Sequence, residues 1–341
     1  MSAPTGTPAQ SSDDTPRPRG ALVRVVRDPL FGPGVLAVGL LVALLARPWI
    51  VQQFDAPGFS TWSTIFVAIV VQALPFLVLG VVLSAVLTVY VPARWLTRAL
   101  PRNRYAAVGV AGLSGAVLPG CECASVPLAG GFLRQGVPQA AALAFLLSAP
   151  AINPVVLIAT AVAFPGNPEM VLARFVASLA AACTVALLWA RFFPERLLRL
   201  PADPAGGGSR RDRFRATTEH DLLHAGGFLV VGAGIAATVN VVVPPGVVDA
   251  VASQPLLAVL VLALLAVIIA ICSEADAFVA ASFSAFSPTA QLAFMVVGPM
   301  VDVKLIAMQV GWFGRRFAAR FAPLTFVVAV VMALAVGAVL L

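Results

Sequence analysis

The chain has 341 residues, of which 60% are hydrophobic and only 11% are charged. Soluble domains have about 25% charged residues, so this composition excludes an ordinary cytosolic protein, a disulfide-stapled secreted domain and a disordered regulator. The formal net charge is +7, but the basic residues form short clusters between apolar runs, which is typical of membrane topology and excludes a nucleic-acid partner.

Apolar runs follow one another along most of the chain. Residues 1–20 are rich in Pro, Ser, Thr and Gly, which predicts a disordered N-terminus. Residues 21–60 contain an extra first transmembrane span. Further runs cover 61–91, 106–119, 138–164, 169–193, 221–243, 254–271, 289–313 and 321–341. Because about 20 residues cross the hydrocarbon core, we predict an all-α polytopic membrane protein with nine or ten hydrophobic segments.

Arginine clusters predict the orientation, because loops rich in Lys and Arg stay on the cytoplasmic side. The expected cytoplasmic segments are the N-terminus, the loop around 94–104, the Arg-rich linker 194–220 and the loop around 315–320. The segments 52–60, 165–168 and 244–254 are expected to face outward. The sequence therefore predicts a multi-pass protein of the bacterial inner (cytoplasmic) membrane, with its N-terminus cytoplasmic and its C-terminus outside.

This orientation leaves two segments that enter and leave on the same side. Residues 106–134 begin and end on the cytoplasmic side, and residues 255–287 begin and end outside. Two re-entrant hairpins with tips near Cys121 and Cys272 satisfy this requirement, and two full spans in place of each hairpin satisfy it equally well. With hairpins, the chain has about seven full spans.

An internal duplication relates residues 61–193 to residues 221–341. LAFLLSAPAIN at 143–153 matches LAFMVVGPMVD at 292–302, and Cys-x-x-Ala occurs at both predicted tips. The two repeats have opposite orientation, which is the inverted-repeat plan of many secondary transporters.

Prolines predict a broken helix in each repeat, since proline removes a backbone donor and clashes with the preceding turn. The expected breaks are at Pro150 and Pro154 in the first repeat and at Pro299 in the second. Backbone freed at membrane depth is tolerated only inside protein or beside a water-filled cavity. The breaks therefore predict a central site near the bilayer midplane.

Polar residues at the tips and breaks are the candidates for this site. A charge at the bilayer centre costs about 2.5–3.5 kcal/mol on insertion scales, so such residues mark a pathway or a pair. The candidate substrate-binding residues are Cys121, Glu122, Cys123, Ser125, Asn153, Cys272, Glu274, Asp276 and Asp302. Thiolates select soft metals and carboxylates harder ones. The candidate metal ligands are therefore Cys121, Glu122, Cys123, Glu274 and Asp276.

Lys304, the only lysine in the chain, follows Asp302 by two residues. We expect this pair to act as a counter-ion or coupling group, and both proton coupling and a plain salt bridge remain open. A structural role is the alternative for the other candidates, with cysteines as small buried hydrophobes and acids that cap helices or pair with Arg134 or Lys304. For Asn153, a cap of the second half-helix and a contact with substrate are both open.

The segment VPLAGGFLRQGVPQAAALAFLLSAPAINP, after Cys-x-Cys and a short glycine-rich span, carries a family resemblance. It resembles the predicted bacterial permeases that include the organoarsenical (methylarsenite) efflux permease, the ArsP-like proteins, over about residues 61–341. The resemblance implies an integral inner-membrane permease in which Cys121 and Cys123 act on trivalent arsenicals. This chain also has Glu122 between the cysteines and two acids at the second tip, and these extra acids suit a cation.

The sequence thus predicts a permease and not an enzyme. We expect a secondary transporter that moves a small cation or a thiol-reactive solute, either a soft divalent metal or a trivalent arsenical, by alternating access. Its partners are the lipid bilayer and the solute, without a resident cofactor, and a homo-oligomer is left open. Two alternatives remain: an ion channel, and a membrane thiol-disulfide oxidoreductase, which needs a second redox pair or a quinone site.

Overall fold

The computed structural model describes residues 57–91, 100–101, 103–117, 122–193, 197–198, 209–242 and 254–341. The chain divides into two units, Met1–Ser60 and Thr61–Leu341, and both predicted repeats belong to the second unit. The predicted disordered segment 1–20, most of the extra first span and much of the linker 194–220 lie outside the described residues. The same holds for Cys121.

The described part of the chain contains helices and no strand, which confirms the predicted all-α class. Its α-helices are α1 Pro57–Tyr90, α2 Arg104–Ser114, α3 Glu122–Arg134, α4 Gln139–Ile152, α5 Pro154–Ala163, α6 Pro168–Phe192, α7 Arg210–Val242, α8 Pro255–Ile269, α9 Asp276–Ser282, α10 Pro288–Val297, α11 Val303–Phe313 and α12 Arg315–Leu340.

Five stretches of the described chain are long and apolar enough to cross a membrane: α1, α4 with α5, α6, α7 and α12. Helices α8, α10 and α11 are apolar but shorter. Large aliphatic side chains also cover outward-facing helix surfaces; Val155, Ile158 and Val162 on α5 are each more than half exposed. Such a surface suits lipid. The number of full spans and the two hairpins stay predictions.

Polar caps and proline set the start of several helices. Asn167 Oδ1 accepts a hydrogen bond from Met170 N at 3.1 Å before α6, and Ser287 Oγ accepts one from Ala290 N at 3.3 Å before α10. In both helices a proline follows the cap, where its missing N–H is not needed. Gly136, with φ of 79°, provides the left-handed turn between α3 and α4.

Each of the two predicted broken spans is interrupted, but the first is interrupted at one point. Helix α4 ends at Ile152 and α5 begins at Pro154, with Asn153 extended between them. Pro150 stays inside α4, so the break expected at Pro150 and Pro154 falls at Asn153 alone. In the second half, Pro299 lies in the non-helical segment between α10 and α11.

The helices of the two halves pack in corresponding pairs. In the first half α4 contacts α2, α3 and α6, and in the second α10 contacts α8, α9 and α12. Across the halves, α3 contacts α11 and α9 contacts α5. The duplication itself stays a prediction. The contact of α3 with α11 brings the start of α3 next to the start of α11.

Candidate functional site

A buried group of charges lies where the first turns of α3 and α11 meet. Lys304 Nζ is 3.6 Å from Glu122 Oε2 and 3.5 Å from Asp302 Oδ2. None of the three side chains is more than 1% exposed. We call Glu122, Asp302 and Lys304 the central cluster. With both acids ionised it has a net charge of −1, and it joins a residue of the first half to two of the second.

Two thiols lie beside the central cluster. Cys123 and Cys272 are buried, one from each predicted tip, and both are electrostatic neighbours of the Lys304 ammonium group. No disulfide links Cys123, Cys183 and Cys272 to one another. A thiol of each half is therefore within electrostatic range of the same buried ammonium group.

The two helix breaks are capped in the same way. Asn153 Oδ1 accepts a hydrogen bond from Val156 N at 3.0 Å, and Asp302 Oδ1 accepts one from Leu305 N. Each side chain thus satisfies a backbone N–H at the start of α5 or α11. Asp302 also pairs with Lys304. It therefore has both structural roles considered for the acids, a helix cap and a salt bridge.

Ser125 is buried, but its hydroxyl contacts its own helix. Ser125 Oγ donates a hydrogen bond to the backbone oxygen of Glu122 at 2.9 Å. This contact lies within α3 and stabilises its first turns, next to the Glu122 side chain that faces Lys304.

Asp276 pairs with an arginine that was not among the residues singled out from the sequence. Arg174 Nη2 on α6 is 2.8 Å from Asp276 Oδ2 and 3.2 Å from the backbone oxygen of Ser273, while Nη1 donates to Thr160 Oγ1 at 2.9 Å. Arg174 is fully buried, and half-buried Glu274 is an electrostatic neighbour of Asp276. We call Arg174 with Asp276 the α6–α9 ion pair.

A second ion pair outside the central cluster joins α3 to α7. Arg134 Nη1 and Nη2 donate to the two carboxylate oxygens of Asp221 at 2.8 and 3.1 Å. The Arg134 guanidinium also lies over the Trp312 ring, 5.5 Å from its centroid. The sequence had suggested Arg134 as a partner for the acids of the tips; its partner is instead Asp221. We call Arg134 with Asp221 the α3–α7 ion pair.

Of the five candidate metal ligands, the four that the structure describes do not form one cluster. Within the described residues, no group of three or more His, Cys, Asp or Glu side chains could hold a metal ion. Glu122 and Cys123 start α3, whereas Asp276 is engaged by Arg174. Cys121, the remaining ligand of the first tip, lies outside the described residues.

Comparison with known proteins places the chain in a family. The model of the family ArsP_1, described as "Predicted permease", matches residues 58–338. The chain belongs to this permease family. The match covers the central cluster, the α6–α9 ion pair and the α3–α7 ion pair, and it confirms the resemblance seen in the sequence.

Two curated relatives match the chain over most of their length, and a third matches it over a short part. "UPF0718 protein YcgR" of Bacillus subtilis is 34% identical over 81% of this chain and 96% of its own. A Streptococcus mutans protein named "Putative two-component membrane permease complex subunit" is 32% identical over 80% of this chain and 94% of its own. "UPF0718 protein YraQ" of Escherichia coli is 39% identical over 24% of this chain and 23% of its own. No solved structure matches the chain.

Proposed function

We propose that this family member is a secondary transporter that moves a small cation or a thiol-reactive solute by alternating access around the central cluster. The observation that carries the proposal is the contact of Lys304 with Glu122 and Asp302, which joins the two halves of the chain at 3.5–3.6 Å inside the protein. The proposal assigns no enzymatic reaction to the chain.

Burial of the central cluster supports a functional role. Removing charges from water is costly, and a buried ion pair is often no more stable than apolar residues of the same size. Ionisable residues at membrane depth therefore point to a pathway for solutes or ions. Here three such residues lie together at two helix starts, whereas the remaining core is dominated by Ala, Val, Leu and Phe.

The geometry of Lys304 supports exchange of its partners. Close charge-assisted N–H···O contacts are about 2.7–2.9 Å long, and the two contacts of Lys304 are 3.5 and 3.6 Å. The ammonium group is thus loosely placed between two carboxylates. A cation that enters the cluster is able to displace it, and a proton that enters neutralises the remaining negative charge, which is the basis for coupling.

The side chains around the cluster support the substrate class. Carboxylates bind hard cations, and thiolates bind soft ones such as a soft divalent metal. The nearby thiols of Cys123 and Cys272 also suit a thiol-reactive solute such as a trivalent arsenical, and Cys121 and Asn153 complete the proposed site. The relatives' printed names give no solute, so the choice between metal and arsenical belongs to experiment.

Flux measurements in proteoliposomes test the proposal. Purified protein is reconstituted, and uptake and efflux are measured for divalent cations, arsenite and methylarsenite, with and without a pH gradient. Cys123→Ser is compared with Cys183→Ser, because Cys183 lies on α6 with its Sγ 3.9 Å from the Val108 oxygen. We expect one solute to be transported, with loss of flux in Cys123→Ser and wild-type flux in Cys183→Ser.

Other outcomes separate the alternatives. Flux that never exceeds the equilibrium distribution, whatever the imposed gradient, would indicate an ion channel. Absence of all flux, together with thiols that cycle between dithiol and disulfide with a quinone or a dithiol partner, would indicate the thiol-disulfide oxidoreductase. Equal loss of flux in both cysteine variants would remove the assignment of Cys123 to the site.

We further propose a bacterial inner-membrane location with a cytoplasmic N-terminus and an external C-terminus. Helix α12 begins with Arg315 and Arg316, which favours a cytoplasmic start and an external end. The name of the Streptococcus mutans relative describes a complex subunit, so co-purification tests a second subunit alongside a homo-oligomer.

A further inference from the structure

We propose that the α3–α7 and α6–α9 ion pairs are two gates that close the central cluster from opposite faces of the membrane. The inference rests on the proposed function, since alternating access needs a site that is closed on one side at a time. It assigns Asp276 to a gate, in place of the substrate-binding role expected from the sequence.

Each ion pair links the two halves of the chain. Arg134 belongs to the first half and Asp221 to the second. Arg174 and Asp276 are divided in the same way. In both pairs one partner lies on a short helix that follows a predicted tip, α3 or α9, and the other on a long helix of the opposite half. Movement of one half against the other must therefore break one pair or both.

The α3–α7 pair lies well away from the central cluster in one direction. Glu122 begins α3 and Arg134 ends it, so a helix of 13 residues separates their Cα atoms by about 18 Å at 1.5 Å per residue. Arg134 stacks on Trp312, which is near the far end of α11. Lys304 lies in the first turn of the same helix. Both helices thus lead from the cluster to this ion pair.

The α6–α9 pair lies in the opposite direction. After the turn at Gly136, α4 packs against α3. Its 14 residues are about 20 Å long, which is the length needed to return to the level of the cluster at Asn153. Helix α5 continues this span for 10 residues, so Thr160 lies about 10 Å beyond the break. Thr160 is the residue whose hydroxyl binds Arg174. The two ion pairs therefore lie on either side of the cluster.

Both gates are closed in this structure. The side chains of Arg134 and Asp221 are 7% and 0% exposed, and those of Arg174 and Asp276 are 0% and 3% exposed. The central cluster between them is also sealed from solvent. This arrangement is the occluded state of an alternating-access cycle.

The thiols beside the cluster provide a direct test. A membrane-impermeant maleimide is applied to right-side-out and to inside-out vesicles, and labelled Cys123 and Cys272 are quantified by peptide mass spectrometry. Two double variants, Arg134→Gln with Asp221→Asn and Arg174→Gln with Asp276→Asn, remove both charges of a pair, so that neither leaves an isolated buried charge. Arg191→Gln, at an exposed arginine of α6, is the control.

Wild type and Arg191→Gln are expected to label weakly from both faces. Each double variant should raise labelling about fivefold or more, the lower end of the population shifts produced by coupled sites, from one face only. The face should be cytoplasmic for the α3–α7 pair and external for the α6–α9 pair. Arg134→Lys and Arg174→Lys keep the charge of each pair but lose the paired contacts of the guanidinium group, so they should label less than the matching double variants.

Labelling that stays unchanged, or that rises from the same face in both double variants, would overturn the gates. A rise from both faces that includes Cys183 would indicate loss of the fold and would also overturn them. The experiment needs no solute, so the gates and the proposed transport function are tested independently of each other. Opposite-face labelling without any solute flux would leave the gates in place and remove the transporter.

Discussion

The Lys304 ammonium group is the shared counter-ion of two buried carboxylates. We therefore expect protein stability to be more sensitive to substitution here than at any other single position of the candidate site. Replacement by Met leaves Glu122 and Asp302 buried with like charges and without their shared counter-ion. Breaking a buried ion pair in this way costs about 3–5 kcal/mol. We therefore expect Lys304→Met to lower the free energy of unfolding by about that amount, measured by thermal unfolding in detergent.

Two further variants are compared with Lys304→Met to interpret its change in stability. Arg191→Met removes a charge from an exposed position on α6 and should leave the unfolding temperature near that of wild type. Adding Glu122→Gln and Asp302→Asn to Lys304→Met removes the two carboxylate charges that lost the Lys304 counter-ion and should recover most of the lost stability. An unfolding temperature for Lys304→Met equal to that of wild type would show that the three charges do not interact.

Asn153 has a structural role that can be separated from substrate binding. Its Oδ1 accepts from Val156 N and its Nδ2 donates to the Ala149 oxygen. Asn153→Ala loses the cap of α5 and should lower stability by about 1 kcal/mol, whereas Asn153→Ser retains a capping oxygen and should lose much less. If the two variants unfold at the same temperature, the cap does not stabilise the break.

The acids of the site were predictable from the sequence, but not all of their partners were. Lys304 and Asp302 are two residues apart, so their pairing was visible in the sequence. Arg174 was overlooked because it lies in an otherwise ordinary apolar run; the available signal was that an arginine at membrane depth is costly unless it is paired. Its pairing with Asp276 spans 102 positions and depends on how α6 packs near α9.

At the scale of helices, close approach of α7 to α11 fixes the position of Lys304. A Cβ atom added at Gly232 would lie 2.9 Å from Lys304 Cα, which is backbone, whereas one added at Gly227 would meet nothing within 4 Å. Glycine at position 232 thus permits the two helices to touch beside the central cluster.

These two glycines give a matched pair of substitutions on one helix. Gly232→Ala should destabilise the protein by about 1–3 kcal/mol through overpacking. Gly227→Ala should be neutral or stabilising by up to about 1 kcal/mol, because alanine is favoured over glycine inside a helix. Thermal unfolding of both variants checks this, and a Gly232→Ala protein as stable as Gly227→Ala would contradict the observed helix contact.

The helix breaks were largely predictable, and their details were not. Proline at 154 and at 299 marked both interruptions, because proline cannot continue the preceding hydrogen-bond ladder. Pro150 lies two residues before the end of α4, where the helix tolerates it. Residues 106–134 are predicted to form a re-entrant hairpin, and α2 within this segment has 11 residues, about 16 Å of helix.

At the scale of the whole molecule, alternating access depends on two halves of opposite orientation. The opposite orientation of the two halves is a prediction from arginine placement. A reporter fused after Leu341 tests it. Alkaline phosphatase should be active there and a green fluorescent protein dark, because the C-terminus is expected outside; fluorescence without phosphatase activity would reverse the assigned orientation and exchange the faces of the two gates.

The most direct test of a transport site at the central cluster is solute accumulation against a gradient in proteoliposomes, comparing wild type with Asp302→Asn. Asparagine caps a helix as well as aspartate does, so this variant removes the charge facing Lys304 and keeps the start of α11. Asp212→Asn, at an exposed aspartate, is the control. We predict that wild type and Asp212→Asn accumulate the solute and that Asp302→Asn does not. Equal accumulation by all three proteins would contradict a transport site at the central cluster.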